Sequence, residues 1–230
     1  MQRCVEPEML DRLPADNPDA ILSRRDLQRV NGLMGHAGIL NRALQNGAGP
    51  HHLRSLVELG AGDGTFMLEL ARQLARRGHS AEVQLVDQFN IVSADTQRAF
   101  TALGWRAEAV QSDVFGWLAE PMVARSDLLV ANLFLHHFLP GRLGELFRLA
   151  AERTNCFVAC EPRRSPLALT AARLLGVIGC NAITRHDAVV SVRAGFNGQE
   201  ISALWPARAG WRLAERPAGL FSHCFIAQRL

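Results

Sequence analysis

Val57-Glu58-Leu59-Gly60-Ala61-Gly62-Asp63-Gly64-Thr65-Phe66 is the stretch from which the rest of the chain can be read. An apolar run containing an acid gives way to three glycines at alternate positions, and these open a helical pattern. Glycine tolerates backbone conformations closed to other residues and lets a chain pass close to a ligand. The segment therefore reads as a tight strand-to-helix turn that cradles something. A dinucleotide turn of the form G-x-G-x-x-G needs its third glycine where Thr65 stands. Glu58 also carries the wrong charge for a pyrophosphate. An acid there suits a cation.

Outward from this turn, short apolar runs at 55–59, 82–86, 106–110, 127–131 and 156–160 alternate with amphipathic helical patterns at 65–77, 93–103, 141–151 and 166–178. Such alternation predicts crossover units and a parallel sheet covered on both faces. Two further strands, 211–215 and 223–229, are joined through Pro217-Ala218-Gly219 without a helix and predict an antiparallel closing strand. The expected fold is α/β and Rossmann-like, a seven-stranded, mostly parallel sheet with an antiparallel C-terminal strand and an N-terminal helical cap. Residues 1–50 read as an arm and a helical cap or lid. Residues 1–20 are expected to be a loose stretch, followed by one helix over 24–45 opened by Ser23 and Asp26. Gly32, Gly35 and Gly38 along that helix suggest close backbone packing. Residues 51–230 form the main domain, with an irregular insertion at about 179–205 over the pocket.

The chain has 230 residues, 25 basic and 22 acidic side chains, a formal charge of +3, 48% apolar residues and 20% charged ones. That composition supports a sizeable core. Every basic residue is arginine and there is no tyrosine. The lack of lysine excludes Schiff-base enzymes and phosphate-loop hydrolases, and the lack of both excludes tyrosine–lysine dehydrogenases. A small charge spread along the chain argues against nucleic acid. The five cysteines are odd in number and form no C-x-x-C pair, which predicts reduced thiols. The N-terminus has no apolar leader, and the longest uncharged stretch, 128–141, falls short of the roughly 20 residues needed to span a bilayer. A soluble cytoplasmic protein without a membrane span is expected. Its oligomeric state stays open, with a homodimer among the options.

The E-x-G-x-G-x-G turn resembles the first motif of class I S-adenosylmethionine-dependent methyltransferases. The resemblance extends over residues 53–230 and implies S-adenosyl-L-methionine as cofactor. Glu58, Gly60, Ala61, Gly62 and Gly64 would form its loop. Asp87, 23 residues past Gly64 at the end of the second strand, would hold the ribose hydroxyls, with Gln88 and Phe89 beside the adenine. Asp113 and Val114 would meet the adenine at the end of the third strand. Asn132 and Leu133, after the fourth strand, would complete the cofactor set.

The segment Asn132-Leu133-Phe134-Leu135-His136-His137-Phe138 occupies the switch region of such a sheet. It lacks the prolines of the N/D-P-P-Y/F run of nucleobase amino-methyltransferases. Asn132 is a poor substitute for the acidic ligands of metal-dependent catechol-type enzymes, so no metal is expected. Leu135-His136-His137-Phe138 resembles the L-H-D-W run of small-molecule O-methyltransferases, whose histidine is the general base. That resemblance assigns the base to His136, with His137 beside it where that group has aspartate. A neutral imidazole suits removal of a phenolic or enolic proton. Glu161, at the end of the fifth strand, could orient His136 or bind substrate, and Arg163 could pair with an acceptor anion. Met34, His186 and Arg193 complete the expected substrate contacts. His186 and Asp187, as chain neighbours, are not expected to form a dyad. Phe66, Trp117, Phe134 and Phe138 are candidate walls, and His51-His52 lacks ligand spacing.

The function expected is methyl transfer to a small aromatic or polyketide-like acceptor, at oxygen, in secondary metabolism. The alternatives are C-methylation of a quinone-type precursor, an NAD-dependent oxidoreductase, or a non-catalytic nucleotide-binding module.

Overall fold

The computed structural model describes residues 1–14, 16–45, 53–206 and 209–230. Seven strands form one sheet in the order β3-β2-β1-β4-β5-β7-β6. They are β1 Ser55–Leu59, β2 Glu82–Asp87, β3 Arg106–Gln111, β4 Leu128–Asn132, β5 Cys156–Pro162, β6 Trp211–Ala218 and β7 Ser222–Arg229. The first five pair in parallel, while β7 runs antiparallel to both β5 and β6. Strands β4 and β5 are buried at every position, as continuous apolar runs between two layers of helices should be. One apolar cluster gathers Leu56, Met67, Leu70, Leu85 and Val158 on one side of the sheet. Another gathers Leu59, Phe147, Phe157, Trp205 and Phe225 on the other.

The helices are α1 Pro18–Met34, α2 His36–Ala43, α3 Thr65–Ala75, α4 Ala94–Ala102, α5 Val114–Ala119, α6 Pro140–Arg153, α7 Pro166–Arg173, α8 Ala182–Ala194 and α9 Glu200–Leu204. The chain order reverses between β1 and β4, so a crevice opens at the carboxyl ends of these strands. Among the described residues, no helix is long and apolar enough to cross a membrane.

Three expectations are corrected here. The expected helix over 24–45 is two helices. Asn17 caps the first through the amides of Asp19 and Ala20, Pro18 takes its first turn, and Gly35 at φ 63° ends it. Ser23 is buried within that helix, its hydroxyl 2.8 Å from Thr184 Oγ1, and Asp26 accepts from the Asn181 amide. Gly32 and Gly35 meet nothing at the Cβ position and Gly38 only the Arg42 guanidinium at 3.5 Å, so the glycines mark no close backbone approach, and Gly35 alone marks a helix stop.

The N-terminal stretch is not loose. Arg3 donates to the carbonyls of Ala194, His136 and Phe138, and the amides of Met9 and Leu10 donate to the Asp187 carboxylate at 2.8 and 2.9 Å. The stretch from 179 to 205 is not irregular either, since it contains α8 and α9. Helix α8 buries Thr184 and Asp187 along with Ile183, Val190 and Val192, so it has no clean apolar stripe to read. His51 and His52 lie outside the described residues.

Candidate active site

The crevice holds a cavity of about 660 Å3, a size suited to a small-molecule site. One end is built by the glycine turn. The amides of Gly60 and Ala61 both donate to the Val86 carbonyl, at 2.9 and 3.1 Å, which ties the turn to the end of β2. Gly62 donates to Asp87 Oδ2 at 2.9 Å, and Phe89 to Asp87 Oδ1 at 2.9 Å. Two glycines are required by space as well as by dihedral. A Cβ at Gly60 would lie 2.2 Å from the Phe134 ring, and one at Gly64 2.8 Å from Leu85 Cδ1. Gly60, Ala61, Gly62, Asp87, Gln88 and Phe89 line the cavity, whereas Gly64 sits beneath it. Asp113 and Val114 also line it, and the Asp113 carboxylate caps α5 through the Gly116 amide at 2.9 Å.

Glu58 lies at the base of this end, 2% exposed. Burial pushes its carboxyl well above the usual carboxylate range, and the negative charges of Asp63 and Asp87 push it further. Its Oε2 has no hydrogen-bond partner among the described residues although it is buried. A buried, unpartnered carboxylate oxygen in a cavity wall is costly unless a ligand supplies the missing donor or charge. Asn132 accepts from the buried His36 ring, with Nδ1 2.7 Å from Asn132 Oδ1, and His36 Nε2 lies 2.8 Å from Ser222 Oγ. Burial lowers the pKa of His36 and keeps that ring neutral. Leu133, the next residue, takes φ 52°, the one left-handed non-glycine among the described residues.

The other end of the cavity is largely apolar, with Leu27, Val30 and Met34 from α1, Ala168 and Ala172 from α7, and Val192 from α8. Its polar wall residues include Glu8, Asp11, Ser191, His137 and His136, the last in the short 3-10 turn Leu135–His137 after β4. Glu161, fully buried at the end of β5, holds that turn. Its Oε1 accepts from the amides of Phe134 and Leu135 at 3.0 and 2.9 Å, and its Oε2 lies 2.8 Å from His136 Nδ1. On the opposite side of the ring, Nε2 lies 3.3 Å from Glu8 Oε1, and the Ser191 hydroxyl donates to that same oxygen. Both ring nitrogens thus face carboxyl oxygens, an arrangement that favours the doubly protonated ring. Burial alone would lower the pKa of His136, but the hydrogen bonds and charges of Glu161 and Glu8 outweigh it and raise the pKa to about 9. Burial would likewise raise that of Glu8, and His136 instead holds it down to about 2.

The expected site residues separate accordingly. His136, His137 and Met34 line the cavity together with the cofactor-end residues, as do Phe66, Phe134 and Phe138. Glu161 does not. Its Oε2 lies 2.8 Å from His136 Nδ1, the geometry of the orienting alternative and not of a substrate contact. The neutral general base expected at His136 is held here as an imidazolium between two carboxylates. Arg163, His186 and Arg193 are absent from the cavity wall, as is Trp117, which is packed in the core. Arg163 follows the last position of β5 and its amide bonds to the Phe221 carbonyl. His186 does meet its chain neighbour, with Nδ1 2.9 Å from Asp187 Oδ1, but that carboxylate is engaged with the N-terminal amides. Sequence reasoning misses Glu8, Ser191 and His36, which lie far along the chain from the residues they serve. Glu8, His136 and His137 bring potential metal-ligand atoms within 4.8 Å of one another, a grouping that Asn132 alone did not suggest.

Comparison by sequence finds no matching protein-family model and no matching curated protein. Comparison of folds finds clear likenesses. The plantazolicin methyltransferase BpumL, solved with SAH, superposes with a TM-score of 0.65 at 12% identity, covering 94% of this chain and 92% of its own. Magnesium protoporphyrin IX methyltransferase (ChlM) from Synechocystis PCC 6803, also with SAH, gives 0.54 at 15% identity over 86% of this chain and 84% of its own. The pyocyanin biosynthetic protein PhzM gives 0.61 at 16% identity over 94% of this chain but 60% of its own. The chain has the fold of class I methyltransferases.

Proposed function

We propose that this protein transfers a methyl group from S-adenosyl-L-methionine to oxygen on a small, apolar-bodied acceptor. The observation that carries the reading is Glu58, a buried carboxylate with an orphaned oxygen in the wall of the cavity, beside a turn in which Gly60 has no room for a side chain. A cationic ligand lying on the turn would satisfy the orphaned oxygen. When bound, S-adenosylmethionine supplies an electrophilic methyl group on a sulfonium. Asp87, at the end of β2, would accept from the ribose hydroxyls, and Asp113 and Val114 would border the adenine. Phe134 and Phe138, in edge contact at 5.0 Å, help exclude water where the two ends meet. Positioning and desolvation then do most of the work.

The acceptor end fits a molecule with an apolar body and one polar group directed at His136. The neighbours' names, a plantazolicin methyltransferase and a pyocyanin biosynthetic protein among them, support a small-molecule acceptor of secondary metabolism. The described residues up to 45 act as arm and cap over this end, with the 179–205 segment as their seat, and Leu27 and Val30 form part of the roof. Free thiols at all five cysteines, four of them buried, suit the reducing cytoplasm.

Calorimetric titration with S-adenosylmethionine, S-adenosylhomocysteine and NADH tests the cofactor. The two adenosyl ligands bind and NADH does not. Asp87→Ala weakens the adenosyl ligands about 100-fold, the equivalent of losing one or two charge-assisted hydrogen bonds at about 1.5–3 kcal/mol each. Binding of NADH alone would end the methyltransferase reading.

A further inference from the structure

Resting on that reading, we propose that the acceptor arrives already ionised, and that its oxyanion takes the place of the Glu8 carboxylate between His136 Nε2 and the Ser191 hydroxyl. The geometry of Glu8 carries this. Its Oε1 is held by two donors from separate elements, the turn after β4 and helix α8, and Glu8 lines the same cavity as His136, His137, Asp11 and the apolar Leu27, Val30 and Val192. An ionised carboxyl brought there by the N-terminal segment marks where an anionic oxygen is bound. The Ser191 hydroxyl has a second acceptor, the Asp187 carbonyl at 2.8 Å, so it keeps its place when Glu8 leaves. The segment also stays anchored without Glu8, through Arg3 and through the amides of Met9 and Leu10 on Asp187.

The charges around the His136 ring support the assignment. Glu161 faces Nδ1, Glu8 faces Nε2, and the His137 ring lies beside it with centroids 4.3 Å apart. Asp11 in turn lies 3.5 Å from His137 Nδ1. His136 Nε2 and the Ser191 hydroxyl converge on one oxygen position, which an acceptor oxyanion can fill as Glu8 does. Such an acceptor is a carboxylic acid, or a phenol or enol acidic enough to ionise near neutral pH. A lone pair on the oxygen forms the new O–CH3 bond as the S–CH3 bond breaks, with that bond's electron pair going to sulfur. No proton moves, so no base is required, and His136 holds the nucleophile in line.

The test uses the full chain saturated with S-adenosylhomocysteine and titrated with decanoate, with an alkylated nitrophenol that is ionised at pH 7, and with 1-decanol. Both anions are expected to bind and decanol to bind at least tenfold more weakly. Glu8→Gln removes the resident charge and is expected to tighten both anions several-fold. Ser191→Ala, combined with Glu8→Gln, loosens them again, and neither change moves decanol. Binding of only one anion would still support the assignment and would tell carboxylic acids from phenols. Equal binding of decanol, or anion affinity unchanged or weakened in Glu8→Gln, would overturn it. Affinity for S-adenosylhomocysteine is read in the same variants. Its absence from the wild type would count against methyl transfer, whereas its retention alongside lost anion selectivity would count against the oxyanion site alone.

Discussion

The two ends of the cavity are built in opposite ways. The cofactor end comes mainly from successive strand ends, and the contacts that shape its glycine turn span short stretches of chain, such as the 25 residues from Gly62 to Asp87. The acceptor end is assembled from distant pieces. Glu8 meets His136 across 128 residues and Ser191 across 183. A parallel sheet presents its strand ends in order, so the first kind of site lies along the sequence at regular intervals. The second exists only once the N-terminal segment has docked.

Several measurements sharpen this contrast. The largest expected effect is at Glu161, which serves only the acceptor end yet is wholly buried. Glu161→Ala leaves three backbone amides and a charged ring without an acceptor, and should cost about 3–5 kcal/mol in urea unfolding. A loss below 1 kcal/mol would mean that the acceptor end is not a tightly coupled unit.

Next in size is the pH dependence of stability. The pairing of His136 raises its pKa from 6.5 to about 9, so its contribution is complete below pH 6.5 and is lost as pH rises through about 9. That of Glu8 is lowered from 4.5 to about 2, so its contribution holds above pH 4.5 and is lost as pH falls toward about 2. Melting temperature should therefore fall between pH 6.5 and 9 by several degrees more in the wild type than in His136→Gln. Parallel curves would remove the charged pairing.

The smallest effect belongs to the cofactor end. The carboxyl of Glu58 is held up by burial, and a bound cation favours its ionised form. S-adenosylmethionine should then bind with release of a fraction of a proton and with affinity that rises with pH. Calorimetry in buffers of different ionisation enthalpy should detect that release in the wild type and not in Glu58→Gln. The same release in both would move the proton source elsewhere.

Much of this architecture was legible in the sequence because local rules govern it. Strands β4 and β5 read as strands because burial on both faces demands unbroken apolar runs. The glycine turn was readable because space at Gly60 and Gly64 excludes every larger residue. The stop at Gly35 and the Asn17-Pro18 start of α1 were also readable, as helix punctuation, although the apolar spacing across 24–45 obscured them. Helix α8 was not legible, because it spends buried positions on Asp187 and Thr184, which serve the N-terminal segment and α1. Nothing near Glu8 announces a partner 128 residues away, and Arg163, His186 and Arg193 look like site residues until the packing turns them elsewhere.

The docked N-terminal segment has a consequence in folding time. Glu8 is synthesised long before Ser191, and closing 183 residues instead of 25 costs roughly 2 kcal/mol more in loop entropy at about 0.6 kcal/mol per doubling. The strand-end site therefore closes at a lower entropic cost than the contacts of Glu8, and its assembly does not wait on the docking of the N-terminal segment.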